Sequence, residues 1–226
     1  MLVLALDTAM SACSAALVEG AGLPGERMLA ARTTAMARGH AEALLPLVEQ
    51  IMGDGGRTYA DLDLIAATVG PGAFTGIRIG LACARGLALA AGKPCAGVTT
   101  LEALAATAKG APVLVCVESR RDDLFAQAFG GDGRALSLPA SLPPEGLVAF
   151  VADAGLALGF ILAGDGAARA GVALAQAGLK APVVATAAPD PVVVAGIAAS
   201  RHGTADALAP RPLYLRPPDV TVPKTA

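Results

Sequence analysis

Residues 61–105 read DLDLIAATVGPGAFTGIRIGLACARGLALAAGKPCAGVTTLEALA and decide the fold of this 226-residue chain. Residues 64–69 form a short apolar run with little alternation, which predicts a strand covered on both faces. The triplet Gly70-Pro71-Gly72 ends that strand, because glycine tolerates positive φ and proline cannot donate a hydrogen bond to a sheet. The stretch therefore opens with a buried strand and a sharp turn.

A helix and a second strand follow the turn. Thr75 is a suitable N-cap, and apolar residues recur at helical spacing over residues 77–91. Gly92 and Pro94 end the helix, and residues 95–98 are apolar again. A strand–turn–helix–strand unit of this kind is the elementary piece of a parallel sheet, so we predict an α/β fold.

The turn is also a candidate anion site. Backbone N–H groups and the positive end of the helix dipole converge just after Thr75, which favours a phosphate or carboxylate. Arg78 lies in the predicted first turn, where a cation is unfavourable, so we expect a carboxylate or phosphate of a partner or ligand to compensate it. The alternative is a tight turn whose glycines serve only packing, because the segment lacks the GK[ST] ending of a P-loop. The candidate anion- or nucleotide-proximal residues are Asp7, Gly70, Gly72, Thr75, Gly76 and Arg78.

Composition places the chain among globular proteins that need no membrane. Hydrophobic residues make up 54% and the mean hydropathy is +0.60, but no uncharged run reaches the roughly eighteen residues of a membrane span. The N-terminus leads straight into Asp7 without a basic region, so we expect no signal peptide and a cytoplasmic location. Four widely spaced cysteines indicate buried thiols in a reducing compartment. The net charge of −2 argues against this chain alone gripping a nucleic-acid backbone.

A hairpin begins the chain. Residues 2–6 and 13–18 are apolar runs, and the polar residues 7–11 between them predict a turn. Asp7 would stand at the end of the buried first strand, where several phosphotransferases place a metal- or phosphate-binding loop. This turn contains no glycine, so its backbone cannot easily approach a phosphate. Asp7 could equally cap the turn through side-chain hydrogen bonds.

Residues 38–52, RGHAEALLPLVEQIM, predict a helix with an unusually wide apolar surface. The apolar stripe is broader than one core face needs, which favours a partner interface, ordinary core being the alternative. Pro46 predicts a kink unless the regular helix starts near Glu42. A lone histidine near a helix start is more typical of a hydrogen-bonding residue than of a metal ligand. The candidate partner-binding residues are His40, Leu44, Leu45, Val48, Ile51 and Met52.

The second half of the chain repeats the first. Residues 113–117 and 124–129 predict another hairpin, with Glu118 ending its first strand as Asp7 ends the first strand of the chain. Two similar hairpins about one domain apart indicate an internal duplication. A short strand at residues 160–163, a glycine turn and a helix at residues 167–177 repeat the strand–turn–helix pattern.

The remaining segments predict a loop, a helix and a tail. Residues 130–146 are rich in Gly, Pro and Ser, which predicts a loop. Asp190 and Pro191 predict the N-cap and first residue of a helix that Gly203 terminates. From Pro210 onwards the prolines predict an extended tail, which either lies across the body of the protein or is disordered.

Six segments of the chain recur, in this order, in one known family: ALDTAMSACSAAL, HAEALLPLV, VGPGAFTGIRIGLACARGLA, ESRRDDLFA, AGDGA and PLYLRPPDVT. The chain thereby resembles, over nearly its whole length, the TsaB family of bacterial tRNA threonylcarbamoyladenosine biosynthesis proteins. The third segment is the most specific. The resemblance implies the actin, Hsp70 and sugar-kinase fold (ASKHA, with RNase H-like sheets): two duplicated α/β halves with central mixed sheets that flank a cleft. We therefore expect an N-terminal half at residues 1–105 and a C-terminal half with an extended tail at residues 106–226.

The resemblance implies a scaffold rather than an enzyme. TsaB proteins are similar to their catalytic partner TsaD, and with TsaD and the ATPase TsaE they support transfer of a threonylcarbamoyl group to the adenosine beside the anticodon in tRNA. The resemblance implies that the chain has no catalytic residue and no intrinsic cofactor. It also implies that any ATP or ADP lies at the interface of the complex. It also implies tRNA contact only through the complex, and a homodimer when the chain is alone.

The metal site of the catalytic relative has no complete counterpart here. That relative binds a metal through an H-x-x-x-H pair on the helix that corresponds to residues 40–52. His40 matches the first histidine, but Leu44 stands at the second position and cannot bind a metal, so we predict no metal site. Glu118 stands where an aspartate is common in the family, which puts in doubt any role that needs the shorter carboxylate.

Two other functions stay open from the sequence. A small-molecule kinase of the same superfamily would need phosphate-loop glycines, which the turn at Asp7 lacks. A glycoprotease-like metallopeptidase, a label that relatives once carried, would need a metal pair or a nucleophile–base pair. The two histidines of the chain, His40 and His202, are far apart in sequence.

Overall fold

Two five-stranded mixed sheets form the framework of the protein in the computed structural model, which describes residues 1–108, 110–156, 159–184 and 186–216. The strands are β1 Leu2–Asp7, β2 Ala12–Glu19, β3 Arg27–Ala35, β4 Leu64–Thr68, β5 Cys95–Val98, β6 Val113–Glu118, β7 Leu124–Phe129, β8 Ala140–Leu142, β9 Ile161–Ala163 and β10 Val183–Val184. The α-helices are α1 His40–Asp54, α2 Phe74–Ala91, α3 Thr100–Ala105, α4 Leu147–Asp153, α5 Ala167–Gln176 and α6 Pro191–Arg201.

The two sheets have the same strand order. The first runs β3-β2-β1-β4-β5 and the second runs β8-β7-β6-β9-β10. In each, an antiparallel hairpin (β1–β2 or β6–β7) joins a parallel pair (β1–β4 or β6–β9). The helices also recur at equivalent places, one before the fourth strand, one before the fifth and one after it. The predicted duplication and the duplicated α/β fold are therefore confirmed.

The third helix of each half packs on the sheet of the other half. Helices α1 and α2 cover one face of the first sheet, and α4 and α5 cover one face of the second. Helix α6 packs Val194 and Ala198 on the other face of the first sheet, against Val3 and Leu64. Helix α3 packs Leu101 and Leu104 against β6 of the second sheet. The division at residue 105 stays a prediction, because the core of each half contains a helix from the other.

The interpretation of the sequence missed five elements, namely β3, β8, β10, α3 and α4. The largely exposed edge strand β3 shows no clean polar–apolar alternation, so periodicity does not reveal it. The predicted loop at residues 130–146 is wrong over β8, which pairs with β7 through Ala126 and Ala140. Helix α3 begins at a capping box in which Thr99 and Glu102 bond each other's backbone N–H. This T-x-x-E signature is readable in the sequence.

The cysteines are free thiols, as predicted, although Cys83 and Cys95 are only half-buried. Burial raises the pKa of Cys13 to about 11 and that of Cys116 to about 12. A thiol with so high a pKa carries almost no thiolate at neutral pH, which is the reactive form. Cys13 and Cys116 are therefore core residues rather than nucleophiles.

Candidate functional site

The Gly70-Pro71-Gly72 turn lies directly against the loop between β1 and β2. The Gly70–Pro71 peptide is cis, and Gly70 has a φ of +101°. The backbone N–H of Ala73 donates to the carbonyl of Ala9 at 2.7 Å. A Cβ added at Gly72 would overlap that same carbonyl, so only glycine allows the two segments to approach this closely.

Helix α2 begins earlier than the sequence predicts. Its N-cap is Ala73 and its first residue is Phe74, so the prediction of Thr75 as N-cap is wrong. The turn decides the start, because the carbonyl of Ala73 already accepts from the N–H of Ile77 at 2.9 Å. Thr75 instead lies exposed in the first turn of the helix.

The β1–β2 loop covers the first turns of α2. Thr8 is buried, and its hydroxyl donates to the carbonyl of Gly76 at 2.7 Å. A Cβ at Gly76 would overlap the carbonyl of Thr8, and one at Gly80 would lie 2.6 Å from the Thr8 hydroxyl. These glycines serve close packing of loop on helix. Binding of an anion at this turn stays a prediction.

Asp7 is fully buried beneath this loop. Its Oδ1 accepts from the Thr68 hydroxyl at 2.5 Å and from the N–H of Ala9 at 3.1 Å, as expected of a turn-capping carboxylate. Among the described residues nothing bonds its Oδ2. Burial raises the pKa of Asp7 to about 6, against the smaller lowering by these two hydrogen bonds. The group is thus partly protonated near neutral pH, when it can donate as well as accept.

Arg78 is compensated by aromatic rings. Its guanidinium carbon lies 3.3 Å from the centroid of the Phe74 ring and 5.5 Å from that of Tyr214. Because α2 starts at Phe74, Arg78 is the fifth helical residue and lies beyond the first turn. Among the described residues, no acidic side chain pairs with it, and the chain itself offers the guanidinium cation–π contacts. Compensation by a carboxylate or phosphate of a partner or ligand stays a prediction.

A cleft of about 530 Å³ separates the two halves beside this turn. One wall is the turn with the start of α2, and the other is the β6–β7 loop. The described tail forms a third side. Among the described residues, four arginines and one carboxylate line the cleft: Arg78, Arg120, Arg121, Arg216 and Glu118.

Ion pairs fix the β6–β7 wall. Glu118 pairs with Arg169 at 3.0 Å, and its backbone N–H donates to Asp165 Oδ1 at 2.9 Å. Arg169 also donates to the carbonyls of Arg121 and Asp123 at 2.9 and 2.7 Å. Partial burial, together with the neighbouring Asp165 charge, raises the pKa of Glu118, while Arg169 opposes the rise. The carboxylate of Glu118 is therefore already engaged by Arg169.

The tail crosses the cleft. The N–H of Leu213 donates to the carbonyl of Val69 in the first half at 2.8 Å. Tyr214 packs on Phe74 with ring centroids 5.5 Å apart, and Arg216 pairs with Asp123 of the second half at 3.0 Å. This part of the predicted extended tail lies across the body of the protein. Residues 217–226, also part of that prediction, lie outside the described residues.

His40 is a hydrogen-bonding residue. It is buried as the first residue of α1, and its Nε2 lies 3.3 Å from the carbonyl of Met10. His202 is exposed after α6. Within the ranges that the structure describes, no group of three or more His, Cys, Asp and Glu side chains could hold a metal ion. No arrangement here favours the kinase or metallopeptidase alternatives.

Most of the predicted partner-binding residues of α1 are core. Leu44, Val48, Ile51 and Met52 are all buried and pack against the first sheet and α2. The prediction that this stripe is too wide for the core is wrong, because β2, β3 and α2 all pack against this side of the helix. Leu45 is the exception, with 46% of its surface exposed.

The outward face of α2 is largely apolar apart from Arg78 and Arg85, and the sequence interpretation overlooked it. Helix α2 is long and apolar enough to cross a membrane by length and composition alone, and one third of it is buried inside the protein. Leu89 is 86% exposed, and Ala82, Gly86 and Ala90 are exposed beside it. Since α1 packs beside α2, Leu45 and Leu89 belong to one side of the first half.

The chain is similar to proteins of tRNA modification. Residues 30–141 match the family model described as TsaD, tRNA N6-adenosine threonylcarbamoyltransferase. The tRNA threonylcarbamoyladenosine biosynthesis protein TsaB of Escherichia coli (strain K12) is 37% identical over 153 residues, which are 64% of each chain.

Solved structures agree over almost the whole length. YeaZ from Pseudomonas aeruginosa superimposes with a TM-score of 0.75 at 26% identity, covering 95% of this chain and 99% of that one. A protein with similarity to peptidase YeaZ, also from Pseudomonas aeruginosa, gives a TM-score of 0.74 at 31% identity with the same coverage. The likeness therefore includes both halves and the exchanged helices between them.

Proposed function

Because the chain belongs to the TsaB (YeaZ-type) family, we propose that it acts in tRNA threonylcarbamoyladenosine biosynthesis as a non-catalytic subunit that pairs with TsaD. In this role it works with TsaD and TsaE in transferring the threonylcarbamoyl group to the adenosine beside the anticodon. Its contact with tRNA is through the complex, and any ATP or ADP that assists the reaction lies at the interface with TsaD.

The observation that carries the proposal is the sealed turn in front of α2. A phosphate-binding turn needs free backbone N–H groups that a ligand can approach. Here the β1–β2 loop fills that space, with the Ala73 N–H bonded to Ala9 and the Thr8 carbonyl in contact with Gly76. Asp7 is buried behind the same loop. This favours a subunit that keeps the fold of a catalytic relative without its chemistry.

The outward face of α1 and α2 supports the pairing. Exposed leucines such as Leu45 and Leu89 are typical of a surface that another protein covers, and charged residues such as Glu49 and Arg85 are exposed on the same helices. The match of residues 30–141 to the TsaD model includes both helices, so TsaD has equivalent helices to offer. A face that can pair with a homologous face can also pair with its own copy, which gives a twofold homodimer when TsaD is absent.

Reconstitution tests the function. Threonylcarbamoyl transfer to tRNA should require this chain, TsaD and TsaE together, and the isolated chain should show neither transfer nor ATP hydrolysis. Turnover by the pure chain that disappears in Asp7→Asn would contradict the non-catalytic role. Full transfer by TsaD and TsaE without the chain would contradict the role as a subunit.

Two exposed leucines test the surface. The double variant Leu45→Glu, Leu89→Glu should fold, because both side chains are solvent-exposed, and it should lose TsaD binding by at least about 100-fold, since buried unpaired charges are costly. Val172→Glu is the matched control, as Val172 is 62% exposed on α5 of the other half. Pull-down of TsaD and sedimentation of the isolated chain report the two pairings. A folded double variant that binds TsaD as the control does would eliminate this surface.

A further inference from the structure

We propose that residues 208–216 of the tail form a releasable clasp on the third side of the cleft. Residues 208–213 stay fixed to the first half, while Leu215 and Arg216 hold the second half through packing and the ion pair with Asp123. When that pair breaks, the end of the tail leaves the second half and this side of the cleft opens. The clasp needs neither TsaD nor a ligand, so it goes beyond the function proposed above and does not depend on it.

Backbone hydrogen bonds fix the clasp to the first half. The carbonyl of Leu208 accepts from the N–H of Gly97 at 2.8 Å, so the tail pairs with the edge strand β5 in an isolated antiparallel bridge. The N–H of Leu213 donates to the carbonyl of Val69 at 2.8 Å, and the Leu213 side chain packs on the core of the first half. The tail is thus attached to the first half at two separate places.

Two glycines let the clasp approach the first half closely. A Cβ added at Gly97 would lie 2.8 Å from the carbonyl oxygen of Ala209, and one added at Gly70 would lie 3.2 Å from that of Leu213. Prolines between these contacts fix φ and limit the conformations of the tail. Leaving the first half would therefore break both backbone hydrogen bonds and disrupt close backbone packing.

The attachment to the second half is of a different kind. Among the described residues it is made by side chains: Leu215 packs on a core cluster that includes Phe125 and Phe129 of β7, and Arg216 lies 3.0 Å from Asp123. The Arg216 side chain is 39% exposed and that of Asp123 is 15% exposed. Solvent that reaches an ion pair screens it and reduces its contribution to stability. The contacts with the second half should therefore break first.

Asp123 keeps its position without Arg216. The hydroxyls of Ser119 and Ser141 both donate to its carboxylate, and Arg169 donates to its backbone carbonyl at 2.7 Å. The acceptor for the Arg216 guanidinium is thus already in place when the tail returns. The clasp can therefore close again without rebuilding the β6–β7 loop.

Other contacts join the two halves when the clasp is open. Helices α3 and α6 each pack on the sheet of the other half. Arg201 of α6 also pairs with Glu102 of α3 at 2.9 Å. Release of the tail would therefore open one side of the cleft without separating the halves, as in a hinged closure.

Cysteine labelling can compare the two ends of the clasp in the purified full-length chain. Leu215→Cys places a thiol on the second-half side and Leu213→Cys places one on the first-half side, and both leucines are half-buried. Each protein is treated with iodoacetamide, an uncharged reagent. Mass spectrometry of the peptide with the new cysteine follows its labelling, so the native cysteines stay in place. The labelling rate reports how often each position becomes exposed.

Removing either charge of the pair should release one end of the clasp. Arg216→Gln and Asp123→Asn should each accelerate labelling at Leu215→Cys by about fivefold, as expected for a partly exposed charged pair, but labelling at Leu213→Cys by less than about twofold. The two variants change the local charge in opposite senses, so a common acceleration cannot come from a shift in the thiol pKa. Combining them should add little, because both remove the same contact.

Arg211→Gln is the matched control. It removes the same charge from the same tail, and Arg211 has no ion-pair partner in the described part of the chain, so it should leave both labelling rates unchanged. With the pair intact, about 1 M salt should accelerate labelling at Leu215→Cys to the rate seen in Arg216→Gln, because salt screens a partly exposed pair. Circular dichroism checks that each variant folds.

Two kinds of result would overturn the proposal. Equal labelling at Leu215→Cys in Arg216→Gln and in Arg211→Gln would show that the ion pair does not close the clasp. Equal acceleration at Leu213→Cys and at Leu215→Cys would show that the tail leaves the first half as well. Hydrogen exchange of the Gly97 amide in Arg216→Gln, without an added cysteine, tests that attachment a second time and should not accelerate. None of these results bears on pairing with TsaD.

Discussion

The β1–β2 loop and the β6–β7 loop occupy equivalent places in the two halves, but one is sealed and the other is open. In the first half, Asp7 and Thr8 are buried, and the loop packs through close backbone contacts on α2. In the second half, Glu118 keeps a partly exposed carboxylate that pairs with Arg169 of α5. Duplication thus conserves the position of a carboxylate at the end of a strand, while the surrounding residues decide whether water and ligands can reach it.

The glycine turns show the same difference. Gly164 and Gly166 also approach a neighbouring carbonyl, that of Cys116, and the Gly166 N–H donates to it at 3.0 Å. Beyond that contact, however, the second loop is held by side-chain ion pairs rather than by backbone packing. Displacing a loop that is held by exposed ion pairs costs less free energy than displacing one that is packed against a helix backbone. Displacing the β6–β7 wall of the cleft should therefore cost less free energy than displacing the wall formed by the first half.

The strongest test of the sealed loop is Gly76→Ala. The new Cβ would overlap the carbonyl of Thr8, and since both atoms belong to backbone segments, we expect a loss of about 3 kcal/mol in the free energy of unfolding. Gly86→Ala on the same helix is the control. Its Cβ meets nothing within 4 Å, so it should stabilise by about 0.5–1 kcal/mol. Urea unfolding of both variants measures the difference, and equal stability would show that the loop is not tightly packed.

The buried carboxylate predicts an unusual pH dependence. Burial raises the pKa of Asp7 from 3.8 to about 6, so the folded state binds more protons than the unfolded state between about pH 4 and pH 6. Stability therefore falls as the pH rises through this window, by roughly 3 kcal/mol at about 1.4 kcal/mol per pKa unit. Asp7→Asn should remove this fall.

The two loops can be compared by measuring how steeply the free energy of unfolding changes with pH in Asp7→Asn and in Glu118→Gln. Urea unfolding midpoints are measured for wild type and both variants at several pH values from about 4 to 7. The differences between them give the contribution of each of the two carboxyl groups to the pH dependence. The pKa of Glu118 is also raised, but the side chain is partly exposed, so its effect on stability is screened and should be smaller. If Asp7→Asn kept the wild-type slope, Asp7 would not be protonated in the folded state.

The smallest effect is expected at the open loop. Arg169→Met removes the pair with Glu118 and two hydrogen bonds to loop carbonyls, yet the site is partly exposed, so we expect a global loss of about 1 kcal/mol. Hydrogen exchange over residues 118–123 should accelerate far more than exchange over residues 8–11. Arg134→Met, at the exposed turn after β7, is the control. Faster exchange in the β1–β2 loop instead would contradict the independence of the two loops.

Local patterns predicted most of the framework. Buried strands such as β1, β4 and β6 are continuous apolar runs, and α6 starts where Asp190 and Pro191 predict, with the Asp190 side chain accepting from Val192. The repetition of hairpin, turn and helix predicted the duplication. The prediction of a cleft between the two halves rests on the resemblance to a family rather than on the periodicity of the sequence.

Tertiary contacts explain the failures. The apolar width of α1 looked excessive because a sequence does not show that β2, β3 and α2 cover it together. The start of α2 depends on Ala73, whose N–H bonds a loop more than sixty residues earlier. No local pattern in the sequence places the β6–β7 arginines opposite Arg78. Each miss concerns distant segments that meet in the fold.

Because α3 and α6 each pack on the sheet of the other half, a sheet face can be covered during translation only after the helix from the other half has been made. The face of the first sheet that carries Val3 and Leu64 is completed by Val194 and Ala198 of α6, which follows both sheets in the sequence. While the chain is still emerging, this face stays uncovered until α6 has been translated. An N-terminal fragment that stops before residue 191 would expose an apolar sheet and tend to aggregate. The first half is thus begun before the second half, but its sheet is fully covered only after the strands of the second sheet have been made.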